Sequence, residues 1–134
     1  MLDEVLTALF TCEKTVCVGF SFNSDLSMFK RAYKTMKFFQ NFAHFIDVQA
    51  EFGRLIPEKK GVGLAKVVDA LFGQVVCKGE QMGNWELRPL RLSQQHYGAL
   101  DAVSLVHILE KLEQLAKEQK VKGVVESALA LNLD

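Results

Sequence analysis

The chain reads as an α/β domain, a small sheet flanked by helices, on three observations. Residues 16–22 alternate Val16, Val18, Phe20 and Phe22 with Cys17, Gly19 and Ser21. Both sets are apolar or small, the pattern of a strand covered on both faces. A second short apolar run, Phe45-Ile46-Asp47-Val48, predicts another strand. Around these runs stand segments whose apolar residues recur every three or four positions, which is helical spacing.

In order, Leu2, Val5, Leu6, Leu9 and Phe10 predict an amphipathic first helix over residues 2–11. The first strand follows and stops at Asn23-Ser24-Asp25, side chains suited to a helix N-cap. A helix over residues 26–34 then leads into a basic, Phe-rich segment and the second strand. Pro57-Glu58-Lys59-Lys60-Gly61 is polar and loop-like. Leu64, Val67, Val68, Leu71 and Phe72 restore helical spacing up to Gly73, the expected C-cap. Residues 75–91, with Gly79, Gly83 and Pro89, read as irregular. A long helix runs from Ser93 to about Gln119, and the tail after Gly123 has the pattern of a short helix. The expected division is one domain over residues 1–122 and a tail over 123–134. No internal repeat is visible.

Composition narrows the function classes. The 134 residues suffice for one core. Sixteen basic and sixteen acidic residues cancel, so any polyanion site must be a local patch. Cys12, Cys17 and Cys77 are odd in number and lack Cys-x-x-Cys spacing, which disfavours a disulfide framework and a zinc site. Reduced thiols fit an intracellular protein of the cytoplasm or nucleus. No apolar run reaches the ~18 residues of a membrane span, and the acidic start is unlike a signal peptide.

The residues richest in chemistry lie near the start of the long helix. Tyr97 and Asp101 are four apart and share one helix face. Leu105, Ile108, Leu109, Leu112 and Ala116 form the apolar stripe, and Asp101 falls in its middle. A carboxylate facing a core must be neutralised, hydrogen-bonded or metal-bound. A structural aspartate paired with an arginine or with backbone amides is one solution and a functional ligand the other. Asp25, where the first strand meets its helix, likewise admits a capping role or a functional one.

The stretch Gly79-Glu80-Gln81-Met82-Gly83-Asn84-Trp85-Glu86-Leu87-Arg88-Pro89-Leu90-Arg91, followed by Gln95-His96-Tyr97-Gly98-Ala99-Leu100-Asp101-Ala102, resembles the Tyr-x-x-x-Asp motif of a known family. These are the 3′–5′ exonucleases related to ribonuclease D and the Werner syndrome exonuclease, in particular their Nibbler-type, small-RNA-trimming branch. Residues 18–26, Val18 to Leu26, resemble the family's second motif, in which a hydrophobic strand delivers an aspartate to a metal site. The resemblance covers roughly residues 5–115. It implies a ribonuclease H-like fold with a sheet truncated at its N-terminal side, and metal-dependent removal of nucleotides from the 3′ end of single-stranded nucleic acid, RNA above all. Carried over residue by residue, it makes Asp25 and Asp101 ligands of magnesium or manganese and Tyr97 the residue that orients the attacking water. It brings Lys78 to substrate phosphate, while Trp85 packs the loop onto the last helix. Arg88 also lies in the matched signature and is assigned to nucleic acid.

The family's first motif, Asp-x-Glu, has no counterpart in the sequence. Two of four expected metal carboxylates are therefore present, and Asp3, Glu4, Glu13 and Asp47 match no motif. The strand that carries the first motif would also be missing, leaving a sheet edge to be covered or paired. Three expectations follow: a piece of a larger protein that supplies the strands, a homodimer that completes the sheet, or a remodelled, catalytically inactive module for binding nucleic acid or protein.

Other candidates are more modest. Lys30, Arg31, Lys34 and Lys37 interleave with Phe29, Tyr33, Phe38 and Phe39, residue types that track phosphates and stack bases on single strands. The same pattern describes a solvated face over an aromatic core. His44, His96 and His107 form no ligand cluster with cysteine, and Gly61-Val62-Gly63 reads as a turn.

Overall fold

The computed structural model describes the backbone of residues 1–133 and the side chains of residues 1–129. Helix α1 (Leu2–Phe10) precedes strand β1 (Cys17–Gly19), helix α2 (Phe22–Ala32) and strand β2 (Phe45–Asp47). Helix α3 (Val48–Leu55) follows without a break, then a 3-10 turn at Pro57–Lys59 and helix α4 (Leu64–Phe72). A long irregular segment leads to helix α5 (Leu92–Glu118) and helix α6 (Val124–Leu133).

The two strands pair in parallel, Cys17 with Phe45, Val18 with Ile46 and Gly19 with Asp47. Parallel pairing is the arrangement that a helical crossover permits, and α2 is that crossover. The core lies where α3, α4, α5 and α6 meet the sheet, around Ile46, Val48, Phe52, Val67, Ile108, Leu112 and Val124. Ile108, Leu112 and Ala116 are the buried members of the expected α5 stripe, with Leu105 and Leu109 packed beside them. The segment after Gly123 contributes to this core through Val124 and Ala128. Glu113 holds it in place, its carboxylate accepting the Val125 N–H at 2.6 Å.

The first strand is shorter than its alternating pattern predicts, and α2 begins four residues earlier than expected. The reason is an aspartate on the neighbouring strand. Asp47 accepts the Ser21 N–H at 3.0 Å and the Phe22 N–H at 3.2 Å. These N–H groups at the start of α2 have no partner inside the helix, so a carboxylate there lets the helix start at once. Ser21 makes the turn in the left-handed region, at φ 51°. Asp47 is also the N-cap of α3, accepting the Gln49 N–H at 3.0 Å. The Asn23-Ser24-Asp25 stretch therefore lies inside α2 and does not cap it.

The Phe-rich segment turns its rings onto one another. Phe38 meets Phe29 and Phe39 edge-on at 5.5 and 5.2 Å, and Phe22 packs against Phe42 and Phe45 at 5.8 and 4.9 Å. Phe38 and Phe39 are buried, while Lys30 and Lys34 stay in solvent. Asp3 anchors this cluster to α1 by accepting the N–H groups of Lys37 and Phe38 at 2.8 and 2.7 Å. Leu2, Val5 and Leu9 of α1 face outward, so only part of its apolar side is used. Among the described residues β1 pairs only with β2, so the outer edge of each strand is left without a strand partner. No helix among them is long and apolar enough to cross a membrane.

Candidate functional site

The site is assembled by the loop before α5. Glu80 organises it: its carboxylate accepts Arg91 Nη2 and Ser93 Oγ, both at 2.7 Å, and its carbonyl accepts Trp85 Nε1 at 3.0 Å. Gln94, 2% exposed, closes the first turn of α5 by accepting the Arg91 N–H at 3.0 Å, and it donates to the Asn84 carbonyl at 3.0 Å. Gln95 donates to the Leu90 carbonyl at 2.9 Å. The loop is thereby laid along α5, and the Trp85 ring reaches Tyr97 with centroids 6.0 Å apart. Arg88 spends its Nη1 on the Trp85 and Leu87 carbonyls of its own loop.

One turn further, Tyr97 and Asp101 stand on the same face of α5, both half-buried. Desolvation raises the Asp101 carboxyl above the usual aspartate range. Desolvation also raises the Tyr97 phenol, with the charge of Asp101 and then Cys77 adding to the effect. Among the described residues no donor bonds the Asp101 carboxylate, and only its backbone carbonyl accepts, from Ser104 Oγ at 2.9 Å. Of the two structural solutions the sequence left open, arginine pairing and amide bonding, neither is present among the described residues.

Two clefts share this Tyr97–Asp101 ridge. One, of about 540 Å³, has Lys60, Lys66 and Lys78 on its walls together with the turn 61–63. The other, of about 670 Å³, is bordered by apolar Leu64, Val68, Val76 and Leu100 and by the free thiol of Cys77. The structure thus brings Asp101, Tyr97 and Lys78 to one cleft. Asp25 sits exposed in the first turn of α2, and neither it nor Lys30, Lys34 or Arg88 lines either cleft. Lys60 and Lys66 escaped the sequence reading, because nothing local marks a lysine in a turn or at a helix start as a neighbour of a helix far downstream. Asp47 escaped it too, although an aspartate at a strand end directly before a helix is a capping signal.

Among the described residues no three His, Cys, Asp or Glu side chains gather closely enough to hold a metal ion. Asp101 offers one oxygen ligand that lacks a competing donor, which is part of a divalent-metal site and not the whole of one.

Residues 2–117 match the family model described as 3′–5′ exonuclease. The chain belongs to that family. It is 31% identical over 127 residues to the exonuclease mut-7 homolog of Drosophila melanogaster, covering 86% of this chain and 20% of that protein. It is 38% identical over 60 residues to the ribonuclease D of Psychromonas ingrahamii, covering 45% of this chain and 16% of the other. The chain therefore spans a fifth or less of the length of these two relatives.

Among solved structures, the Aedes aegypti Nibbler EXO domain superposes with a TM-score of 0.75 at 24% identity, over 98% of this chain and 67% of that one. Escherichia coli RNase D superposes with a TM-score of 0.70 at 22% identity, over 96% of this chain and 33% of that one. At such identities the likeness establishes the ribonuclease H-like exonuclease fold, in agreement with the expectation from the Tyr-x-x-x-Asp motif.

Proposed function

We propose that this exonuclease-family domain holds the 3′ end of single-stranded nucleic acid, RNA in particular, and takes part in trimming it. The observation that carries this reading is the half-buried Asp101, without a donor and one helical turn from Tyr97, at the edge of a cleft that also holds Lys78. In this reading Asp101 takes a divalent cation, magnesium or manganese, and Tyr97 orients water at the scissile phosphate. Lys78 neutralises phosphate charge. The resemblance alone assigns Asp25, which lines neither cleft, as a further carboxylate of this centre, and Lys30, Lys34 and Arg88 to outlying phosphates. A hydrolytic centre needs more carboxylates than Asp25 and Asp101, and they would come from a further segment or a second chain. The open edge of β1 and the exposed Leu2, Val5 and Leu9 of α1 are surfaces such an addition would cover.

The test is manganese-dependent shortening of a 5′-labelled single-stranded RNA by the purified chain, beside Asp25→Asn and Asp101→Asn variants and a substrate with a blocked 3′ end. Shortening abolished by both variants and by the block is the expected result for a hydrolytic domain. Shortening indifferent to Asp101→Asn would refute the assignment of the site.

A second reading has its own support, since fewer than three potential metal ligands gather anywhere among the described residues. In it the domain binds nucleic acid or protein without cutting. Intact RNA that is nonetheless bound by a folded chain is its signature. Light scattering separates a monomer from a homodimer that completes the sheet.

A further inference from the structure

We propose that Lys60 and Lys66 form, in the cleft that Tyr97 also lines, a phosphate rail that grips the backbone of the single strand upstream of its 3′ end. The inference deepens the preceding reading and rests on it. The chain as a whole is electrically neutral, sixteen cations against sixteen anions. The cleft is not: Lys60, Lys66 and Lys78 line it, against the single carboxylate of Asp101. Among the described residues none of the three lysines is in an ion pair, and all are exposed to solvent. Three ammonium groups without ion-pair partners lining one cleft are what a polyanionic strand needs.

The backbone on this wall is built for close approach. Gly61 turns at φ +80°, and a side chain at Gly61 or Gly63 would meet nothing within 4 Å, so the wall is bare at these two positions, while Val62, Leu64 and Ala65 line it between the lysines. Lys60 is also held from behind. A Cβ on buried Gly53 of α3 would stand 3.0 Å from Lys60 Cγ and 3.3 Å from its Cβ. The missing side chain is therefore the seat of the Lys60 stem, which packs on α3 while its charged end remains free.

The two lysines come from a turn and a helix start that precede Tyr97 by more than thirty residues, and nothing in the Tyr-x-x-x-Asp signature includes them. On a single strand each neutralised phosphate contributes about 0.7 to the slope of log affinity against log salt. Removing both charges lowers that slope by about 1.4 and weakens binding on the order of 25-fold at about 0.1 M salt, if counterion release is their whole contribution.

The experiment measures fluorescence anisotropy of a labelled octauridylate RNA with the full chain, in chelator so that no strand is cut, across a salt series. Lys60→Gln with Lys66→Gln keeps the Cβ and Cγ that pack on Gly53. Lys111→Gln with Lys117→Gln, which line neither cleft, carries the same change in net charge. The expected result is a shallower slope and weaker binding for the first pair only, with both pairs melting within a few degrees of the parent. Equal effects from the two pairs, or none from the first, overturn the rail while leaving the parent's RNA binding intact. A folded parent chain that does not bind the RNA overturns the rail and the nucleic-acid reading together.

Discussion

Replacing Asp47 by alanine removes one carboxylate and unfastens two helices. Its Oδ1 accepts from Ser21 at 3.0 Å and Gln49 at 3.0 Å, and its Oδ2 from Phe22 at 3.2 Å. Loss of an N-cap costs about 1 kcal/mol for α3. The two N–H groups at the start of α2 lose an ionised acceptor, and water replaces it at Ser21 more readily than at part-buried Phe22, for about a further 1–2 kcal/mol. The sum, about 2–3 kcal/mol, lowers the midpoint of thermal unfolding by about 6–15 °C in a domain of this size. Asp47→Asn keeps an oxygen for Ser21 and Gln49 but forfeits the Phe22 bond and the charge, so it should fall between the parent and Asp47→Ala. Urea unfolding followed by circular dichroism gives the free energies directly. If Asp47→Ala lies within about 0.5 kcal/mol of the parent, the carboxylate does not hold α2 and the account of why β1 ends early is wrong.

Three further outcomes are expected. Asp101→Asn should stabilise the chain at neutral pH: desolvation raises the folded carboxyl's pKa, so the ionised form is penalised above that pKa and the penalty fades as pH falls through it. Melting curves of parent and variant should therefore diverge at neutral pH and converge in acid, and a less stable variant at neutral pH contradicts the desolvation argument. Gln94→Ala strands the Arg91 N–H and the Asn84 carbonyl beside α5, costs about 1–3 kcal/mol, and should redden the emission of Trp85, the single tryptophan, as the loop lifts from Tyr97. Glu113→Ala removes the acceptor of the Val125 N–H and should speed hydrogen exchange in α6 without changing that of α3; unchanged α6 exchange would show that Val124 and Ala128 suffice to hold it.

What the sequence determined is local or periodic. The three- and four-residue spacing placed α1, α4 and α5 within a few residues, because a helix buries a stripe that repeats with its own turn. Gly73 ends α4 at φ +64°, a left-handed position that favours glycine. Tyr97 and Asp101 were legible as a pair because four residues are one turn, whatever the rest of the chain does. Tertiary structure decided everything that depends on distant neighbours. Residues 16–26 alone put the start of α2 four residues late, because the carboxylate that receives its first N–H groups, that of Asp47, lies on another strand. The phenylalanines around Phe38 became a core cluster only when α1, α2 and β2 closed around them. Lys60 and Lys66 line the Tyr97 cleft from either side of the turn at Gly61, and Lys60 packs where Gly53 leaves room for its stem. A short-range pattern fixes which way a side chain points on its own element; which other element it meets is set by packing between faces, whose angle and register no single segment contains.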